Sequence, residues 1–171
     1  TFTVGLIIFT VSTYGGRLYQ VSDLKKEYNF NEYFSSRVLS SAVALVAMVM
    51  FSLIKNYTVE QFIILLLMVI PKLIETFCEV LFAVFQKNER LDIVGKSLTI
   101  KIIGGIIVFL ILDIMFKNVA LALLGFALWY TFVAIIYDFK KFKLIYNEKI
   151  IFSKSSFKVL LTTKYIFLFS L

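Results

Sequence analysis

Histidine is absent from the 171 residues, and cysteine, proline and tryptophan each occur once. Without histidine there is neither imidazole acid–base chemistry nor a His-ligated metal site. The lone Cys78 excludes an intrachain disulfide and leaves the redox compartment unreadable. A single proline leaves long stretches free of the strongest helix breaker. Charge is also scarce: 17% of residues are Asp, Glu, Lys or Arg, against about 25% in ordinary soluble domains. Neither a Walker lysine loop nor an HExxH pair is present, and the acids and the cysteine do not cluster with metal-ligand spacing. Sixty per cent of the residues are hydrophobic, with a mean hydropathy of +0.91, and they come in long blocks rather than a soluble-protein alternation. This is the composition of an all-α, polytopic transmembrane helical bundle. No sign of catalysis stands out.

The stretch around which the chain is organised is 62–86, FIILLLMVIPKLIETFCEVLFAVFQ. As a helix it would rise about 37 Å, enough for a hydrocarbon core of roughly 30 Å. It nonetheless carries Pro71, Lys72, Glu75 and Glu79 in its interior and Gln86 at its end. Spacings of three and four residues put Lys72, Glu75 and Glu79 on one face, which Gln86 rejoins two turns on. A charge at mid-membrane costs from about 3 to more than 10 kcal/mol, so such residues read as a polar pathway or substrate site inside a bundle. The plainer alternative is a Lys72–Glu75 ion pair that only orients this helix, with Glu79 at its wet end.

In chain order, residues 2–14 form a first apolar run, ended by Gly15 and Gly16, with Arg17 at the membrane exit. Residues 17–36 mix polar, charged and aromatic types. Asn29 with Glu32 three residues on resembles a capping box, so the next helix is expected over 30–54. Tyr28, Phe30, Tyr33 and Phe34 are expected as a headgroup-level aromatic belt. Ser36, Ser40, Ala44 and Ala47 make a small-residue stripe suited to helix contact. The turn 55–60 includes Asn56-Tyr57-Thr58, a weak glycosylation sequon. After the charged helix come a loop over 87–96 and a span over 97–116, with Gly104-Gly105 available for packing and Asp113 near its far end. A tight Lys117-Asn118 turn leads to a span over 119–138 containing Trp129 and Tyr130. The predicted organisation is therefore 1–138 as transmembrane helices, 139–158 as a basic connector and 159–171 as the start of another helix. That makes about five spans plus the start of a sixth. Because both ends fall inside apolar runs, and the first shows neither a basic leader nor a cleavage site, a piece of a longer polytopic protein is expected.

Lys and Arg in the connections set the expected orientation. Arg17, Lys25, Lys26 and Arg37 fall around the first connection, and Lys87, Arg90, Lys96 and Lys101 around the third. Lys140, Lys141, Lys143, Lys149, Lys154 and Lys158 fall on the last. These four, four and six residues make fourteen, against Lys55 and Lys117 on the alternate turns. The three basic connections are expected on the cytoplasmic side. This placement accounts for most of the formal charge of +7, so nucleic acid is not called for as a partner.

The successions GGRLYQVSDLKKEYNFNEYFSSRVLSS and PKLIETFCEVLFAVFQKNERLDIVGKSL resemble the N-terminal half of Wzx-type polysaccharide flippases. These belong to the multidrug/oligosaccharidyl-lipid/polysaccharide exporter superfamily, the MOP or MATE-like transporters. The resemblance implies two pseudo-symmetric lobes, this chain forming the N-terminal one without its first helix, and 139–158 linking the lobes in the cytoplasm. One lobe alone would not transport. The implied activity is the flipping of polyprenyl-diphosphate-linked oligosaccharide across the bacterial cytoplasmic (inner) membrane during surface polysaccharide synthesis, by alternating access. Implied partners are that lipid-linked oligosaccharide, membrane lipids, and polysaccharide polymerase and chain-length regulator proteins. On this reading Lys72 holds the diphosphate, while Arg17, Arg37, Lys87 and Arg90 collect it near the cytoplasmic mouth. Glu75, Glu79 and Gln86 complete the polar face, the two glutamates partnering cations, bonding sugar hydroxyls or serving proton or sodium coupling. No cofactor is implied. A cation-coupled drug exporter of the same superfamily is the near alternative, and a membrane glycosyltransferase or polysaccharide polymerase the more distant one. The latter would call for catalytic acids or basic residues in a large external loop, and both external turns here are only a few residues long.

Overall fold

A computed structural model describes residues 16–23, 27–146 and 151 of the chain. The apolar runs 2–14 and 159–171, and most of the connector beyond 146, lie outside the described residues. Within them the chain is all-helical, without strands. A short helix α1 (Gly16–Ser22) precedes α2 (Phe30–Ile54), α3 (Val59–Lys87), α4 (Leu91–Phe116) and α5 (Val119–Val133). A π-helical turn, Ala134–Phe139, joins α5 to α6 (Lys140–Ile145), so these form one 27-residue rod, Val119–Ile145.

Among the described residues three helices are long and apolar enough to cross a membrane: α2, α4 and the Val119–Ile145 rod. The described chain thus offers fewer spans than the expected five plus the start of a sixth, of which those over 2–14 and 159–171 fall outside the described residues. The 29 residues of α3 suffice in length, but it is not among these three, and its middle carries Pro71, Lys72, Glu75 and Glu79. It packs instead against every other described helix and forms the axis of the bundle. Ile103, Ile106, Ile107, Leu110, Ile111 and Ile114 of α4 stand about half exposed or more. Such a face suits lipid and not water.

Local chemistry sets the boundaries. The Asn29 N–H donates to Glu32 Oε2 (2.8 Å), so α2 starts at Phe30 as its capping residues predict. Thr58 caps α3: its Oγ1 accepts from the Gln61 N–H (3.4 Å), and Gln61 Oε1 accepts from the Thr58 N–H (3.2 Å). The threonine of the weak sequon thus has a structural use, and it starts α3 three residues before the expected 62. Lys117 adopts a left-handed conformation (φ 49°), and Asn118 Oδ1 accepts from the N–H groups of Ala120 and Leu121. That closes the α4–α5 hairpin where the sequence places it.

Other boundaries move. Gly16 is helical rather than a break, and the expected loop 87–96 shrinks to three residues because α4 begins at Leu91. The fifth span does not stop at 138 but continues to Ile145. The expected outward aromatic belt instead packs inward. Phe30 and Tyr33 are buried, Phe30 lying 4.9 Å from Phe142 and 4.8 Å from Tyr146 between ring centroids. In the α2 stripe Ser36, Ser40 and Ala44 are buried, but Met48 rather than Ala47 continues it, against Leu65 and Val69 of α3. The helix keeps a four-residue step that the 44-to-47 spacing would break. In the hairpin, Gly104 faces the Trp129 indole and Gly105 the Phe126 ring, leaving no room for a side chain.

Candidate functional site

The polar residues of α3 meet partners from three directions. Lys72 Nζ donates to Glu75 Oε2 across one turn (2.7 Å), and both stay part-exposed, at 43% and 33%. They line a cleft of about 330 Å³ together with Met68, Pro71, Ile102, Leu123, Phe126 and Tyr130. Pro71 lacks an N–H, so the Leu67 carbonyl loses its usual helical donor. One turn further along, Glu79 Oε2 accepts from Arg37 Nη2 of α2 (3.1 Å). Glu79 also lies within electrostatic reach of Glu75, Arg17 and Lys72. At the end of the helix, Gln86 Oε1 accepts from both Nε and Nη2 of Arg17 (3.2 and 3.0 Å). Lys72 and Gln86 are fourteen residues apart, so the row extends about 21 Å along α3.

Six of the eight residues expected at the site are therefore joined in a single polar row: Lys72, Glu75, Glu79, Gln86, Arg17 and Arg37. The other two stand apart. Lys87 Nζ donates to the Asp23 carbonyl (3.1 Å) at the exposed end of α3. Arg90 pairs with Asp92 on the surface (2.9 Å). Arg37, counted as a connection charge from the sequence, is in fact 3% exposed and sits seven residues into α2. Within the row, Arg17 differs from Lys72 and Arg37 in that its hydrogen-bond partner among the described residues is a neutral amide, with Glu79 in electrostatic reach. Its guanidinium lies 5.7 Å from the centre of the Phe82 ring.

Sequence reasoning missed a second ionic centre. Lys101 of α4 and Asp138 of the π-turn are 1% and 0% exposed and form an ion pair. Lys101 Nζ also lies 3.2 Å from Cys78 Sγ, and over the rings of Phe82 (5.2 Å) and Tyr130 (5.5 Å). From the sequence Lys101 counts as a connection charge, because α4 is expected to start at 97. With α4 starting at Leu91, it lies ten residues, or about 15 Å, inside the helix. Asp138 looks like the end of a span, yet the rod runs seven residues past it. The usable signal was a lone cation and a lone anion, each inside one of two consecutive apolar runs.

Among the described residues, no three or more Cys, Asp or Glu side chains gather in a way that could hold a metal ion. Comparison with models of known protein families, with curated proteins and with solved structures finds no match to this chain.

Proposed function

We propose that this chain is the cargo-handling part of a membrane transporter that moves a polyprenyl-diphosphate-linked oligosaccharide between leaflets by alternating access. The observation that carries the reading is the polar row on α3, running from the Lys72–Glu75 cleft to Arg17 along a helix that packs against every other described helix. A helix that served only as a strut would not carry charges whose burial each costs several kcal/mol. A diphosphate seeks cations that are not held in a direct ion pair, and Arg17, hydrogen-bonded to the neutral Gln86 amide, suits it. Sugar hydroxyls seek mixed donors and acceptors, and the Lys72–Glu75 pair offers both beside the Phe126 and Tyr130 rings. The resemblance of the two sequence blocks to polysaccharide flippases supports the same cargo, together with the bacterial cytoplasmic membrane and a second lobe.

One observation favours the neighbouring reading, export of an organic cation. Glu75, Phe126 and Tyr130 line one cleft, and a carboxylate with aromatic faces also suits a cationic guest. The experiment that separates the two expresses the intact protein in a flippase-deficient, polysaccharide-producing strain with its native repeat unit. Lipid-linked oligosaccharide is then counted on each leaflet. Clearance of the inner-leaflet pool by wild type, and its loss in Arg17→Ala and Lys72→Ala, is the expected result. Accumulation with wild type, alongside outward movement of a fluorescent organic cation, would transfer the assignment to the exporter.

A further inference from the structure

Among the residues that line the cleft, only Lys72 and Glu75 carry charge, one of each sign. They bond each other, yet each keeps capacity for a guest. A lysine ammonium has three donors, and among the described residues Lys72 uses one. Glu75 accepts through Oε2, while its Oε1 has no hydrogen-bond partner among the described residues. Both side chains are part-exposed, whereas Glu79, one turn on, is held by the buried Arg37.

The rest of the lining is largely apolar and leads towards lipid. Ile102, about half exposed on the cleft wall, continues into the exposed face of α4 at Ile103 and Ile106. Lys72 lies 13 residues from the start of α3 and 15 from its end, about 20 Å from either. The pair is thus near the middle of a hydrocarbon core of roughly 30 Å. A guest entering from lipid at this depth must be amphiphilic, and its polar part must suit both signs. A singly charged headgroup meets one member of the pair and sets the other against its own charge; a zwitterion laid antiparallel meets both. At about 330 Å³ the cleft is at the small end of ligand sites, roughly 300–1,000 Å³, enough for a headgroup whose chains stay outside.

We propose that this cleft passes the zwitterionic headgroup of a bilayer phospholipid, of the phosphoethanolamine type, from one leaflet to the other. The phosphate takes the two remaining Lys72 donors, and the primary ammonium donates to Glu75 Oε1 beside the Phe126 and Tyr130 rings, which stand 5.6 Å apart. The acyl chains stay in lipid along α4. Arg37 with Glu79, and Arg17 with Gln86, repeat the combination of a cation and an acceptor towards the end of α3, so the row hands the headgroup on. A headgroup at mid-depth is one in transit: occupancy is brief, the cleft is open to water between passages, and movement needs neither nucleotide nor ion gradient.

This activity is separate from oligosaccharide movement and is read without it. The intact protein is reconstituted in liposomes containing a trace of phospholipid labelled on its acyl chain, with either a phosphoethanolamine or a phosphoglycerol headgroup. A membrane-impermeant reductant then bleaches label in the outer leaflet only. Wild type is expected to bring inner-leaflet phosphoethanolamine lipid to the reductant about tenfold faster than phosphoglycerol lipid. Glu75→Gln is expected to lose that preference, and Lys72→Met/Glu75→Leu, which strands neither charge, to fall to the rate of protein-free vesicles. Absence of movement with wild type, equal movement of both lipids, or a preference that survives Glu75→Gln would each overturn the proposal. Wild type that clears lipid-linked oligosaccharide in the flippase-deficient strain but leaves phospholipid in its leaflet would overturn this inference alone; the converse would overturn only the proposed cargo.

Discussion

Two lysine–carboxylate pairs lie on either side of the Tyr130 ring beside the same stretch of α3, and their environments could hardly differ more. Lys72 and Glu75 are one turn apart on one helix and open to a cleft. Lys101 and Asp138 are 37 residues apart on different helices and sealed from solvent. The open pair contributes little to folding, because helix-surface pairs are worth about 0.2–0.5 kcal/mol, yet it faces anything that enters the cleft. The sealed pair faces no cleft directly, and both of its charges must be matched for α4 and the rod to pack on α3. Chemistry that is the same on paper thus divides into a site and a keystone by exposure alone.

The sharpest way to break this contrast is to strand one buried charge. Lys101→Met is expected to lose about 3–5 kcal/mol, while Lys101→Met/Asp138→Leu stays near wild type. Unfolding in mild detergent, followed by intrinsic fluorescence, checks both, and equal losses in the single and double variants would break the keystone account. Arg37→Met is an intermediate case, because Glu79 is 28% exposed and is partly resolvated when freed; about 2 kcal/mol is expected by the same assay. Gly104→Leu, which drives a side chain into Trp129, is expected to cost about 1–3 kcal/mol through packing alone, with no pH dependence.

Asp23 is the aqueous control for both pairs. Burial pushes its carboxyl upward, but the Glu27 N–H, the Tyr33 hydroxyl, the Tyr28 N–H and Lys87 outweigh that and hold it below the usual carboxylate range. Its folded pKa being the lower one, its stabilisation is complete above the unfolded value of about 3.9. That stabilisation fades as the pH falls through the folded value. Asp23→Asn is expected to cost about 1 kcal/mol at neutral pH and nothing in strong acid, as read from stability against pH. The smallest change in stability is expected for Lys72→Ala, within about 0.5 kcal/mol, with at least a tenfold fall in transport.

What was legible in the sequence follows the same divide. Helix starts set by neighbouring residues, Asn29 with Glu32 at α2 and Asn118 at α5, fall where local rules put them. The Lys72–Glu75 pair was readable from its three-residue spacing. The tertiary pairs Arg37–Glu79, Arg17–Gln86 and Lys101–Asp138 depend on how helices face one another, which local spacing does not encode. Arg37 and Lys101, among the fourteen basic residues assigned to connections, are buried inside helices, because a Lys or Arg near a helix end looks the same whether it anchors at a headgroup or pairs inward. The aromatic residues near 28–34 misled for the same reason: amphipathic rings suit both an outward belt and an inward cluster.

The central claim is that the row beside Lys72 is a wet path and not a dry strut. The most direct measurement places a thiol in the cleft, Met68→Cys in a Cys78→Ala background, and treats intact membranes with a water-soluble, membrane-impermeant maleimide. Cys78, 1% exposed, provides the negative control in the wild-type chain. Rapid labelling of the cleft thiol, slowed by lipid-linked oligosaccharide and not by free lipid, is the predicted result. A thiol that stays unlabelled until the protein is unfolded would contradict the account and leave Lys72 and Glu75 as a pair that merely orients α3.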